Sequence, residues 1–102
     1  MNVTLKRIKR LIIQGNYLFT LKAESELEAD GLVLEDALES ILNAKDIDKV
    51  LNSTHPKSGK PEKLYIIKSF TYDHVLVYTK GKIEEKNGQQ CFYILISSKK
   101  SL

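Results

Sequence analysis

Lysines and tyrosines cluster in the C-terminal half of this 102-residue chain, and together they are suited to phosphate and base contact. Tyr78, Lys80, Lys82, Tyr93, Ser97 and Lys99 are the members with the most chemistry to offer. An ammonium group neutralises a phosphate oxygen, and a phenol donates a proton or stacks its ring on a base. Other candidates are weaker. His55 and His74 are lone histidines without carboxylate or cysteine spacing, so no metal is assigned to them. Cys91 is a single cysteine, which excludes an internal disulfide and a multi-cysteine zinc site. Ser97-Ser98 lacks the glycines and the strand–turn–helix setting of a nucleophile elbow. No Gly-rich phosphate loop is present, and Ser58-Gly59-Lys60 is too short a match to count as one. The expectation is chemistry without metal or cofactor.

Charge is segregated along the chain. Residues 1–20 carry four basic and no acidic residues, residues 21–46 two lysines against eight acids, and residues 47–102 ten lysines against five acids. The segments are thus +4, −6 and +5, within an overall +3. A basic C-terminal half invites a polyanionic partner; its plainer reading is a solvated surface. The length fits a single domain over residues 1–102. No apolar run approaches the roughly 20 residues of a membrane span. Leu11-Ile12-Ile13 is also shorter than a signal-peptide core of about 7–15 residues. With one cysteine, the expected compartment is the cytoplasm.

The elements that must position the lysines fall into two halves. Leu5, Ile8, Leu11 and Ile12 recur at helical spacing, and Gly15-Asn16 ends that helix. Thr20 is a candidate N-cap for a short helix containing Ala23 and Leu27, closed by Gly31. Leu34, Ala37, Leu38, Ile41 and Leu42 complete an amphipathic third helix. Ile47 to Leu51 reads equally as helix tail or strand. Residues 52–62 hold both prolines and read as a loop of about eleven residues, long enough to hint at function. Leu64 to Phe70, Val75 to Glu84 and Gln90 to Ser98 read as strands, the last two joined at Asn87-Gly88. The expected fold is α+β, three N-terminal helices packed on one face of a small antiparallel sheet.

A two-residue Asn87-Gly88 turn would set Ile83 opposite Phe92, Gly81 opposite Ile94 and Thr79 opposite Ile96. The expected core is then Leu38, Ile41, Leu42, Val77, Phe92, Ile94 and Ile96. The other face collects Tyr78, Lys80, Lys82, Tyr93, Ser97 and Lys99, with Lys99 diagonal to Tyr78. A bulge at Gly81 would flip part of this arrangement.

The element order and several short motifs resemble the RelE-superfamily toxins of bacteria. The likeness is closer to the motility quorum-sensing regulator (MqsR) toxins and to BrnT-like and uncharacterised toxin-like domains. Ile8-Lys-Arg-Leu-Ile-Ile-Gln-Gly resembles the family's first helix and its glycine stop. Thr20-Leu-Lys-Ala resembles the start of its next helix, and Asp30-Gly-Leu the entry to the third. Lys49 falls at the lysine of the family's Phe-x-Lys-Ser segment. Val77-Tyr78-Thr79-Lys80 resembles its Val-Tyr-x-Lys strand, and Ile96-Ser97-Ser98-Lys99 its terminal Val-Ser-Phe-Lys. The chain departs from the pattern in lacking the Trp-Gln-Asp glutamine near Leu64 to Ser69. It also lacks the histidine and arginine that related domains carry where this chain has Ala23-flanking residues 22–26.

The resemblance implies a RelE/MqsR-like fold and a metal-independent endoribonuclease, an mRNA interferase that cleaves by attack of the ribose 2′-OH. It further implies a cognate antitoxin as partner, commonly one with zinc-binding and helix-turn-helix segments. Lys49, Tyr78 and Lys99 are the expected catalytic residues, and Lys80, Lys82, Tyr93 and Ser97 the expected RNA contacts. Such cleavage requires proton removal, phosphorane stabilisation and protonation of the leaving oxygen. Two alternatives stand beside it: an inactive RNA- or protein-binding domain of the same fold, and a small interaction protein whose basic sheet is only surface.

Overall fold

The structure is a computed structural model that describes residues 2–86, 88 and 90–102. The N-terminal half is helical where the apolar spacing requires it. Helix α1 (Val3–Ile13) buries Leu5, Ile8, Leu11 and Ile12. Its N-cap is Asn2, whose side-chain oxygen accepts from the Thr4 and Leu5 amides at 2.8 and 3.1 Å. Gly15, at φ 79°, reverses the chain after α1 in the left-handed conformation that suits glycine. Strand β1 (Tyr17–Phe19) leads to helix α2 (Leu21–Ala29), which Thr20 caps by accepting from the Ala23 amide at 3.1 Å. Helix α3 (Leu34–Asn43) begins where Asp36 accepts from the Val33 amide at 2.9 Å.

The second half forms β2 (Lys49–Thr54), β3 (Pro61–Phe70), β4 (Leu76–Lys86) and β5 (Gln90–Lys100). The five strands lie in the order β1-β5-β4-β3-β2. All neighbours are antiparallel except β1, which runs parallel to β5 with Tyr17 opposite Tyr93. The sheet is therefore mixed rather than antiparallel, because Tyr17–Phe19 docks on the β5 edge before α2 starts. The loop expected over 52–62 is shorter, since Asn52 to Thr54 pair with Lys63 to Pro61. In the remaining turn the Nδ1 of His55 accepts from the amides of Lys57 and Ser58, so that histidine serves the backbone.

The core lies between the helices and one sheet face. Leu5, Ile8, Leu27, Ala37 and Ile41 pack with Ile67, Tyr93 and Leu95. Leu38 packs against this cluster and Val77 is buried, as expected; Leu42 instead stands exposed at the solvent side of α3. The β4–β5 register departs from expectation. Asn87 and Gln89 lie outside the described residues, and the described ladder starts with Lys86 opposite Gln90. Glu84 faces Phe92, Ile83 faces Tyr93 and Gly81 faces Leu95, one residue off the expected pairing. That offset turns Tyr93 and Leu95 onto the helices and Phe92 and Ile94 onto the outer face. Phe92 and Ile96 are only partly buried, whereas Ile94 is buried as expected. Between Lys80 and Gly81 the register shifts again, with Ile96 as the extra residue of a bulge.

Two features fix this arrangement. The Tyr93 ring lies directly on Gly81, where an added Cβ would sit 2.5 Å from Cζ of that ring. Beyond the bulge, α2 covers the β5 edge. Glu26 accepts from the Ser97 hydroxyl at 2.7 Å and the Ser98 amide at 3.2 Å, and Asp30 accepts from the Lys100 amide at 2.8 Å. Carboxylates thus occupy edge groups that a further strand would otherwise take.

Candidate functional site on the outer sheet face

The two register steps have opposite consequences for the expected site residues. Beyond the bulge the combined shift is two residues, so the faces are restored. Tyr78 pairs directly with Lys99, and Lys80 with Ser97. On the other side, Lys68 pairs with Tyr78 and Ile66 with Lys80, while Lys49 faces Ile66. Two adjacent rows result: Lys68–Tyr78–Lys99 across β3, β4 and β5, and Lys49–Ile66–Lys80–Ser97 across β2 to β5. Directly opposed Cβ atoms stand about 4.5–5.5 Å apart, and alternate residues on a strand about 7 Å. Lys49, Lys68, Lys80 and Lys99 therefore surround Tyr78 and Ile66 on one face.

Within this patch the Lys99 Nζ lies 5.4 Å from the centroid of the Tyr78 ring, a cation–π distance. Lys68 stands 3.9 Å from Asp48, with both side chains about half exposed, so the pair holds little energy. Lys49, Lys80 and Lys99 make no ion pair among the described residues. The centre of the face is apolar: Ile66 and Ile94 are each only 9% exposed. Lysine stems can cover such surface while the ammonium groups remain in water. A hollow of about 420 Å³ opens beside the first row, lined by Asp30, Lys68, Tyr78, Lys99 and Lys100 with the residues that follow.

Three expected contacts are buried or engaged by other residues. Tyr93 is fully buried under the helices, so it is unable to stack on a base. Burial, followed by the neighbouring Tyr65, pushes its hydroxyl well above the usual phenol range. Ser97 is 3% exposed and donates to Glu26, which makes it part of the edge cover. Lys82 shares the outer face but lies 3.2 Å from Glu62 and 3.6 Å from Glu84, which neutralise it. Lys68 is the residue that sequence reasoning missed. Both faces of Leu64 to Phe70 carry apolar side chains, so alternation alone leaves the direction of Lys68 open; only its partner Tyr78 decides it.

The patch can neutralise several phosphate oxygens and present a phenol among them. No protein-family profile, curated protein or solved structure matches the chain. Among the described residues no helix is long and apolar enough to cross a membrane. No group of three or more histidine, cysteine and acidic side chains gathers there as a metal site would require.

Proposed function

We propose that the outer sheet face binds RNA and cleaves it by attack of the ribose 2′-OH, as a metal-independent endoribonuclease of the RelE/MqsR-like toxin kind. One observation carries the reading. Lys49, Tyr78 and Lys99, three positions that match the toxin motifs, share one face with Lys68 and Lys80. Lys68 and Lys99 flank Tyr78 directly, where two ammonium groups would hold the oxygens of one phosphate. The Tyr78 hydroxyl then lies among the charges that would stabilise a phosphorane, placed to donate to a phosphate or leaving-group oxygen. An antitoxin in this reading covers the lysine face, and its complement to that face is acidic.

A second reading, RNA binding without cleavage, has its own support. The two rows hold lysines, Tyr78, Ile66 and Ser97 but neither a histidine nor a carboxylate, the usual proton acceptors. The deciding assay is cleavage of a long single-stranded RNA in EDTA. Lys99→Ala is expected to lower the rate by about 100- to 1,000-fold, the usual cost of one preorganised contact to a developing anion. Tyr78→Phe should lower it while sparing the fold. Undiminished cleavage by both variants would remove the proposed site. Wild-type protein that binds RNA and leaves it intact would select the second reading.

A further inference from the structure

A hollow of about 800 Å³ adjoins the lysine rows, and Lys68 lines both it and the hollow beside Tyr78. Its volume falls within the roughly 300–1,000 Å³ typical of small-molecule sites. The end of β3 and the turn after it form one side; the end of α3 and residues 45–48 form the other. Phe70 and Tyr72, 51% and 75% exposed, both line it, and they are the most exposed aromatic rings among the described residues. Their backbones are tied to α3. The Asn43 amide donates to the Phe70 carbonyl at 3.0 Å, and the Tyr72 amide donates to the Glu39 carboxylate. Thr71 between them is buried and exchanges backbone bonds with Val75 and His74. Two rings are thus held open to solvent on an anchored turn, although burying either would have been favourable.

The geometry points to this cleft as the seat of an unpaired nucleobase, preferably guanine, from a single-stranded RNA whose phosphates lie on the lysine rows. The inference rests on the RNA-binding reading and adds to it the kind of strand and base that the face takes. Lys68 supplies the continuity, since one side chain borders both the phosphate rows and the cleft. A base reaching Phe70 and Tyr72 must leave any duplex stack, so double-stranded RNA is excluded. Ring stacking holds any base; the acids at the rim discriminate. Asp48 lies 3.9 Å from Lys68, whereas Asp46 has no ion pair among the described residues. An ionised carboxylate only accepts hydrogen bonds and can take two parallel donors. Guanine offers two such donors, N1–H and the 2-amino group. Uracil offers one, between two carbonyl oxygens that repel a carboxylate.

The test is fluorescence anisotropy with two labelled octamers, oligouridine and the same strand with one internal guanosine. Both carry 2′-fluoro sugars, which remove the nucleophile and prevent cleavage. Wild-type protein is expected to bind the guanosine strand about tenfold more tightly, the scale of a hydrogen bond to a charged acceptor. Tyr72→Ala should lower affinity for that strand by about tenfold. Asp46→Asn should abolish the preference without weakening oligouridine binding. Lys99→Ala should weaken both strands equally. Both Tyr72 and Asp46 are exposed, so their variants should fold, which circular dichroism checks. Equal binding of the two strands by wild type, or variants of Tyr72 and Asp46 that match wild type, would overturn the cleft assignment alone. No binding of either strand by wild type would overturn the RNA-binding reading and the cleft with it.

Discussion

Tyr93 places its ring in the core and its hydroxyl where no described residue meets it with a hydrogen bond. A buried hydroxyl without a partner costs about 1–3 kcal/mol. Tyr93→Phe removes that hydroxyl and keeps the ring on Gly81, so the variant is expected to be as stable as wild type or more so, by about 1 kcal/mol. The same substitution should alter alkaline behaviour. The folded-state pKa of Tyr93 lies above the ordinary value, so its contribution is complete below about pH 10 and is lost as pH rises further. There the unfolded chain releases the proton while the folded one keeps it, and stability falls by up to about 1.4 kcal/mol per pH unit. Urea denaturation of both proteins at pH 8, 10 and 11 should show a smaller loss for Tyr93→Phe. The partner position behaves oppositely. Gly81→Ala drives a methyl into the Tyr93 ring and should destabilise by about 1–3 kcal/mol. Pairing it with Tyr93→Leu should cost less than the sum of the single changes, because the two side chains share one space.

At the scale of elements, α2 acts as a lid on a strand edge. β1 covers β5 only through Leu95, and Thr20 closes that junction by donating its amide to the Leu95 carbonyl and its hydroxyl to that of Ile96. The bulge at Ile96 changes which amides face outward, and Ser98 and Lys100 then meet Glu26 and Asp30. Glu26→Ala leaves the Ser98 amide and the Ser97 hydroxyl without that acceptor. A loss of about 1–3 kcal/mol is expected by denaturant titration. The uncovered edge should also promote pairing between copies, read as a concentration-dependent shift in gel filtration. Unchanged stability and elution would show that water serves these groups equally well. Among the described residues the opposite edge, β2, has no such lid; charged and polar residues such as Lys49 and Asn52 stand along it instead, which discourages further strands.

For the whole molecule, the overall charge of +3 says less than its distribution. The eight acids of residues 21–46 lie on and around α2 and α3, whereas Lys49, Lys68, Lys80 and Lys99 stand on the outer sheet face beside the neutralised Lys82. A strand running along the two rows meets lysines and no carboxylate within them. If each of the four lysines neutralises one phosphate, the logarithm of affinity for single-stranded RNA should fall against the logarithm of salt with a slope of about −3. Lys80→Ala should reduce the slope by about 0.7 without changing sequence preference. Anisotropy titrations from low to high sodium chloride read both quantities. A flat salt dependence would mean that the lysines do not hold phosphates.

Local features were legible from the order of residues alone. Helical spacing at Leu34 to Leu42, the Thr20 cap and the Gly15 stop follow from neighbouring residues and are found; the helices mostly precede the strands, with β1 the exception. So is the juxtaposition of Tyr78 with Lys99, although they stand directly opposite rather than diagonal. Tertiary structure decided which side of β5 faces the helices. Phe92, Ile94 and Ile96 on one side and Tyr93 and Leu95 on the other are all apolar, so alternation fails to choose between them. A single-residue offset exchanges the two sets. The fit of Tyr93 onto Gly81 and the extra residue Ile96 make that choice across the strands, and neither is visible within a single segment. The same offset buried one expected RNA contact, Tyr93, while the bulge returned Lys99 to its place beside Tyr78. The direction of Lys68 and the parallel docking of Tyr17–Phe19 were likewise settled by partners distant in sequence, because a strand's pairing register depends on contacts that the strand itself does not encode.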